Sequence, residues 1–177
     1  MCKFVMLVGI SGSGKSTYAE ENALIGNYKI VSSDTIREEL YGDASCQSNP
    51  AKVFEIAHNR ICEYLEQGEN VIFDATNLES KHRKQLLTRI DYIPDVKKVG
   101  WIIFPPVEWC ISNQDLRERK VPEKVIRRQF KKFQMPTADE GWDRIIITDH
   151  VTSEQLYPEP ETGYYVGMNA VKAEGSK

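Results

Sequence analysis

Nine residues, GISGSGKST from Gly9 to Thr17, follow directly on the apolar run FVMLV. No other stretch restricts the fold so strongly. A short apolar run ending at a glycine reads as a buried strand. Gly9, Gly12 and Gly14 allow a tight turn that residues with a Cβ resist. From Lys15 to about Ile25 the pattern turns helical, so the helix begins inside the loop. Strand, glycine loop and helix in that order form the first unit of an alternating α/β sheet.

The same nine residues carry chemistry. Gly9, four residues, then Gly14-Lys15-Ser16 match the Walker A pattern in full. In that pattern backbone N–H groups converge on a phosphate, and the following helix adds the positive end of its dipole. The nucleotide-binding set is therefore Gly9, Ser11, Gly12, Ser13, Gly14, Lys15, Ser16 and Thr17. Lys15 reaches the β- and γ-phosphates of ATP, and Ser16 offers its hydroxyl to Mg²⁺. A strand before and a helix after exclude a merely flexible Gly/Ser turn. Hydrolysis, switching and transfer all use this loop. A guanine-reading NKxD motif is missing from the sequence, and the other motifs favour transfer to an acceptor.

Further β-rich runs recur at KIVS (29–32), NVIFDA (70–75), KKVGWIIF (97–104) and RIIIT (144–148). Being almost continuously apolar, they read as strands buried on both faces, as in parallel sheets. Helical periods occupy Thr35 to Tyr41, Pro50 to Gln67, Glu79 to Ile90, Val107 to Leu116 and Pro122 to Phe133. In the third of the six helices, counting the one that opens in the loop, Val53, Ile56, Ala57, Ile61 and Leu65 make one stripe. The expected architecture is a P-loop α/β domain over 1–150, a doubly wound five-stranded parallel sheet flanked by helices. Residues 151–177 read as a C-terminal extension that packs through Tyr157, Tyr164 and Tyr165 or is partly disordered.

Composition narrows the setting. The 177 residues are 41% hydrophobic and 28% charged, ordinary for a globular chain. No basic leader and no apolar run of membrane length are present, and the four cysteines are scattered. A cytoplasmic protein with reduced thiols is expected, with no membrane partner, no zinc site and no nucleophilic cysteine. The net charge of −3 argues against coating nucleic acid. Yet residues 117–132 hold eight Lys/Arg against two Glu, so one face is basic.

Two strand ends supply candidate acceptor chemistry. VSSDTIREEL puts Asp34 at the carboxyl end of the second strand, with Arg37 one helical turn on. Asp34 is a candidate general base for an acceptor hydroxyl, and Arg37 a fork for an acceptor phosphate or carboxylate. Asp34 as a plain helix cap remains an alternative. FDATN leaves Asp74 at the end of the third strand, suited to Mg²⁺, while Thr76 and Asn77 are alternative caps of the next helix. Arg117 and Arg119 lie between two helices, where a lid over ATP is expected. Lys124, Arg128 and Lys132 read better as a solvated helix face. Tyr41, Phe54 and His58 are candidates to line the acceptor pocket.

Taken in order, GISGSGKST, SSDTIREELYGD, LEQGENV, VIFDATNLESKHR, RERKVP and FQMPTADEGWD resemble the P-loop kinase family of phage-type polynucleotide 5′-kinases and related small ATP-binding proteins, from about Lys3 to Asp149. The resemblance implies that Asp34 is the base for a 5′-hydroxyl, that Arg37 contacts the acceptor strand's phosphate, that Asp74 supports the metal or base region, and that Arg117 is the lid arginine on the γ-phosphate. Ser112-Asn113 departs from the family's Arg-Asn, with one extra residue before Arg117, so Arg117 and Arg119 both stay open for that role. No DxDxT segment follows, and a second, phosphatase activity is not expected of these residues. The expected function is ATP-dependent phosphorylation of polynucleotide 5′-OH ends, with a small-molecule hydroxyl kinase or a non-catalytic ATP-binding module as alternatives.

Overall fold

A computed structural model describes residues 1–117, 119–148 and, for the backbone alone, 165–166. Five parallel strands appear where apolar runs predict them: β1 (Cys2–Val8), β2 (Tyr28–Ser32), β3 (Asn70–Asp74), β4 (Val96–Ile103) and β5 (Arg144–Thr148). A two-residue strand, β6 (Tyr165–Val166), adds to the edge in parallel with β5. It comes from the segment read as an extension; Tyr157 and Tyr164 lie outside the described residues. The sheet order is β2-β3-β1-β4-β5-β6.

The helices are α1 (Lys15–Gly26), α2 (Ser33–Tyr41), α3 (Pro50–Glu66), α4 (Ser80–Ile90), α5 (Val107–Ser112) and α6 (Glu123–Lys132). The period over 107–116 is not one helix: it tightens into a 3₁₀ turn at Asn113–Leu116. From β1 the chain steps one way to β2 through α1, and from β3 it steps the other way to β4 through α4. With right-handed crossovers, opposite steps put the helices on opposite faces. Tyr18 and Ala19 of α1 accordingly pack with Leu7, Ile72 and Ile103, while α3 and α4 cover Phe4, Met6 and Phe73 on the other side.

β1 is buried on both faces, as its continuous apolar run implies. β2 departs from that expectation. It is the sheet's edge, and Lys29 and Ile30 are exposed there. A smaller core of Ile10, Leu78, Cys110 and Ile126 ties α5 and α6 to the glycine loop.

One buried ion pair braces this region. Arg83 on α4 and Glu140 are both fully buried. Arg83 Nε and Nη2 donate to the two Glu140 oxygens at 2.8 and 2.6 Å, and Nη1 donates to the carbonyls of Asn77 and Leu78, each at 2.9 Å. Trp142 Nε1 also donates to Glu140. Burial alone would raise the Glu140 carboxyl, but its hydrogen bonds with Arg83, Ser80 and Trp142 outweigh that and hold it below the usual range. A depressed carboxyl stabilises the fold above its unfolded pKa, and that stability is lost as pH falls through the folded one. Arg83→Met strands a buried carboxylate and is expected to cost about 3–5 kcal/mol in denaturant unfolding. A joint Arg83→Met and Glu140→Leu replacement should recover most of it. A wild-type midpoint for Arg83→Met alone would show that the pair braces nothing.

Candidate active site

The loop Gly9–Gly14 leaves β1 at the sheet's centre and meets the ends of β3 and β4. Gly9 N–H donates to Thr76 O at 3.1 Å, and Asn77 Nδ2 donates to Leu7 O at 2.7 Å. Thr76 and Asn77 thus stitch two strand tips instead of capping α4, whose first turn has no side-chain cap. Gly12 and Gly14 sit at φ 86° and 96°, the left-handed region. A Cβ on Gly12 would also lie 2.3 Å from the carbonyl oxygen of Cys110. The chain after α5 and helix α6 close on the loop: Asn113 Nδ2 donates to Gly12 O, and Ser11 N–H donates to Gln129 Oε1 at 2.8 Å. Asn113 stands where the family resemblance has the asparagine of its Arg-Asn pair, whereas Gln129 is an uncharged residue inside the basic 117–132 run that nothing in the one-dimensional pattern marks.

Lys15 is buried at the start of α1, and its Nζ donates to Ile10 O at 2.7 Å and Ser13 Oγ at 3.3 Å. Burial pulls its ammonium down to about 8, against the attraction of Asp74 and Asp34. Ser16 Oγ donates to Asp74 Oδ2 at 2.9 Å. Burial pushes the Asp74 carboxyl up, with Lys15 the main opposing charge. Hydroxyl and carboxylate together are the hard oxygen donors that Mg²⁺ takes when phosphates and waters fill its remaining positions, so Ser16 and Asp74 fit that ion. Cys110 stays protonated beside them, its thiol pushed up to about 11 by burial.

Asp34 faces the same space, and its charge is felt at both Lys15 and Asp74. It does not cap α2. Ser32 does, its Oγ accepting from the N–H groups of Asp34 and Thr35. The Asp34 side chain is therefore free to turn inward, where Arg37 Nη1 donates to Oδ1 at 2.7 Å and Arg119 Nη2 to Oδ2 at 2.9 Å. Arg37 is itself buried and braced by Ser33 Oγ at 3.2 Å. The two basic candidates separate here: Arg119 is taken by Asp34, whereas Arg117 has no ion pair among the described residues. Its positive charge is felt at Lys15 and Asp74.

Lys15, Ser16, Asp34, Arg37, Asp74, Arg117 and Arg119 line one cleft of about 1350 Å³, which Ser11, Gly12, Gly14 and Thr17 also border. Gly9 and Ser13 are not part of its lining. Phe54 and His58 line it as expected, but Tyr41 does not: it packs against the main core. Arg128 and Lys132, read as solvated, are exposed and also border the cleft. The helical period could not say which of two exposed stripes of α6 faces the loop. Gly12→Ala tests the cradle. The strained φ and the clash with Cys110 are expected to destabilise by about 1–3 kcal/mol and to weaken binding of a fluorescent ATP analogue at least ~10-fold. Unchanged melting and binding would show that the loop has room there.

The chain's relatives bear on this geometry. The sequence profile of the AAA domain family (AAA_33) matches residues 4–136. The L-seryl-tRNA(Sec) kinase of Methanococcus maripaludis is 25% identical over 166 residues, covering 88% of this chain and 62% of the relative. A chain in the Pnkp1/Rnl/Hen1 complex superposes with a TM-score of 0.56 at 26% identity, over 63% of this chain and 38% of that one. A gluconokinase from Sinorhizobium meliloti 1021 superposes at 0.54 over 80% of this chain and 81% of its own, but at 18% identity it is similar in fold alone. The chain thus spans less than two thirds of the first two relatives' lengths. A profile match over most of the described residues, on a parallel sheet with a complete phosphate loop, means that the chain belongs to the AAA domain family AAA_33 and is a P-loop kinase domain.

Proposed function

We propose that this protein transfers the γ-phosphate of ATP to a hydroxyl group, and that the acceptor is the 5′-OH end of a polynucleotide. The observation that carries the reading is Asp34. A carboxylate at a strand's carboxyl end shares one cleft with the phosphate loop and is held by an arginine on each oxygen. A loop that only binds ATP needs no such group. The similarity to a Pnkp1/Rnl/Hen1 chain and to an L-seryl-tRNA(Sec) kinase supports an acceptor on nucleic acid.

In this reading the phosphates lie against the N–H groups of the loop and α1, with Lys15 on the β- and γ-phosphates. Ser16 and Asp74 hold Mg²⁺, which when bound neutralises charge on the phosphate oxygens. Asp34 takes the proton of the acceptor hydroxyl as that oxygen bonds to the γ-phosphorus and the bond to the β-phosphate oxygen breaks, releasing ADP. Two N–H donors leave lone pairs free on a carboxylate with about four acceptor sites. Arg37 and Arg119 orient it, and Arg117, which has no ion pair among the described residues, meets the transferring phosphoryl group.

Lys15→Ala and Asp34→Ala are both expected to abolish transfer from γ-labelled ATP to 5′-OH oligonucleotides, with Asp34→Ala leaving ATP affinity within a few-fold. Loss of ATP binding or full activity in Asp34→Ala would overturn the base assignment. Nucleosides and sugars run in the same assay decide the acceptor: labelling of small molecules alone would sink the polynucleotide reading.

A further inference from the structure

Residues of α3, α4 and α6 line the same cleft as Asp34, and this part of it is its wing. Its floor is a set of three rings. Phe54 and His58 each meet Phe73 edge-on, at 6.4 and 6.2 Å, and lie 6.3 Å from one another. All three rings line the space, with Phe73 buried and Phe54 and His58 half-buried. His58 is uncharged at neutral pH, held down to about 4 by burial and then by Arg89 and His82. The floor is therefore aromatic and neutral, suited to a flat heteroaromatic ring.

The rim is cationic. His82, Gln85 and Arg89 are spaced three and four residues apart, so they share one face of α4, and all three are exposed and line the cleft. Arg89 Nη2 donates to Asn59 Oδ1 on α3, which fixes its head across the wing. Arg128 on α6 borders the same cleft. Neither arginine has a carboxylate partner among the described residues, whereas the neighbouring Arg127 and Lys132 pair with Glu108, Glu123 and Glu79. Around the whole cleft stand eight Lys/Arg and four Asp/Glu. That positive excess sits in a chain whose net charge is −3. A free sugar or alcohol would give Arg89 and Arg128 nothing to neutralise, and a phosphodiester chain would.

We propose that this wing is a single-strand subsite, in which Phe54 and His58 receive a nucleobase near the acceptor end while Arg89 and Arg128 grip the phosphodiesters that follow. It deepens, and rests on, the polynucleotide reading of the same cleft. The subsite makes the acceptor's length, not only its hydroxyl, part of recognition.

The test compares 5′-OH dinucleotide, tetranucleotide and octanucleotide acceptors for kcat/KM, together with direct binding of a labelled octanucleotide by anisotropy. For the wild-type protein kcat/KM is expected to rise about tenfold from dinucleotide to octanucleotide. In Arg89→Gln/Arg128→Gln that ratio should collapse toward one, and the salt dependence of octanucleotide binding should fall by about 0.7 per arginine removed. Phe54→Ala should weaken octanucleotide binding about tenfold or more, as for a lost base stack. Both arginines are exposed, and the single Arg128→Gln keeps the test readable if loss of the Asn59 contact disturbs α4. Length-independent rates in the wild type, or an undiminished ratio in the double variant, would overturn the subsite. Octanucleotide binding that falls in the variants, with no phosphate transferred, would uphold the subsite and refute the kinase reading. Phosphorylation of small alcohols with no oligonucleotide binding would refute both.

Discussion

The tips of β1 and β3 are stitched together by Gly9 N–H on Thr76 O and Asn77 Nδ2 on Leu7 O, and the rest of the site depends on that seam. A loop with its glycines in left-handed backbone has little rigidity of its own. Here it is held from below by the strand ends and from the side by Asn113 and Gln129. The buried Arg83–Glu140 pair in turn fixes the carbonyls of Asn77 and Leu78, so the seam has a scaffold behind it. A buried charge left unpaired is costly. This one is paired on both oxygens, which is why a fully buried arginine can serve as a brace.

The electrostatics follow from where these groups lie. Lys15 and Asp74 are both buried, and burial drives each toward its neutral form, the lysine down and the carboxyl up. Each is the other's main counterweight. An anion brought against Lys15, or a cation against Asp74, relieves the same penalty, which is the physical sense in which the site awaits a charged occupant. Asp34 is treated differently. It stands half-exposed at the rim between two guanidinium groups, which orient its carboxylate.

Much of this was legible in one dimension, because it rests on local rules. The apolar runs located β1 to β5 within a residue or two, since a strand covered on its faces must be apolar. The helix start at Pro50 was legible because a proline favours the first helical turn, whereas the helix read from Thr35 starts at Ser33. The phosphate loop was legible for the same reason: its chemistry is in its backbone. Errors arose where a residue had two local roles and a distant partner chose between them. Asp34 was open as a cap until Ser32 took that role. Arg117 and Arg119 were equivalent by spacing until Asp34 claimed one of them. Tyr41 packs on the core instead of the cleft, because helical period gives a face, not what the face meets.

The sequence by itself therefore determined an alternating α/β chain with a phosphate cradle at the end of its first strand, because strand burial and glycine backbone are properties of short segments. Only the tertiary structure decided what surrounds that cradle: which arginine Asp34 engages, which glutamine and asparagine close the loop, and that an acidic chain turns a basic cleft toward it. Those outcomes depend on side chains tens of residues apart meeting across the ends of parallel strands. No local pattern encodes such encounters, since each partner alone is compatible with a solvated surface.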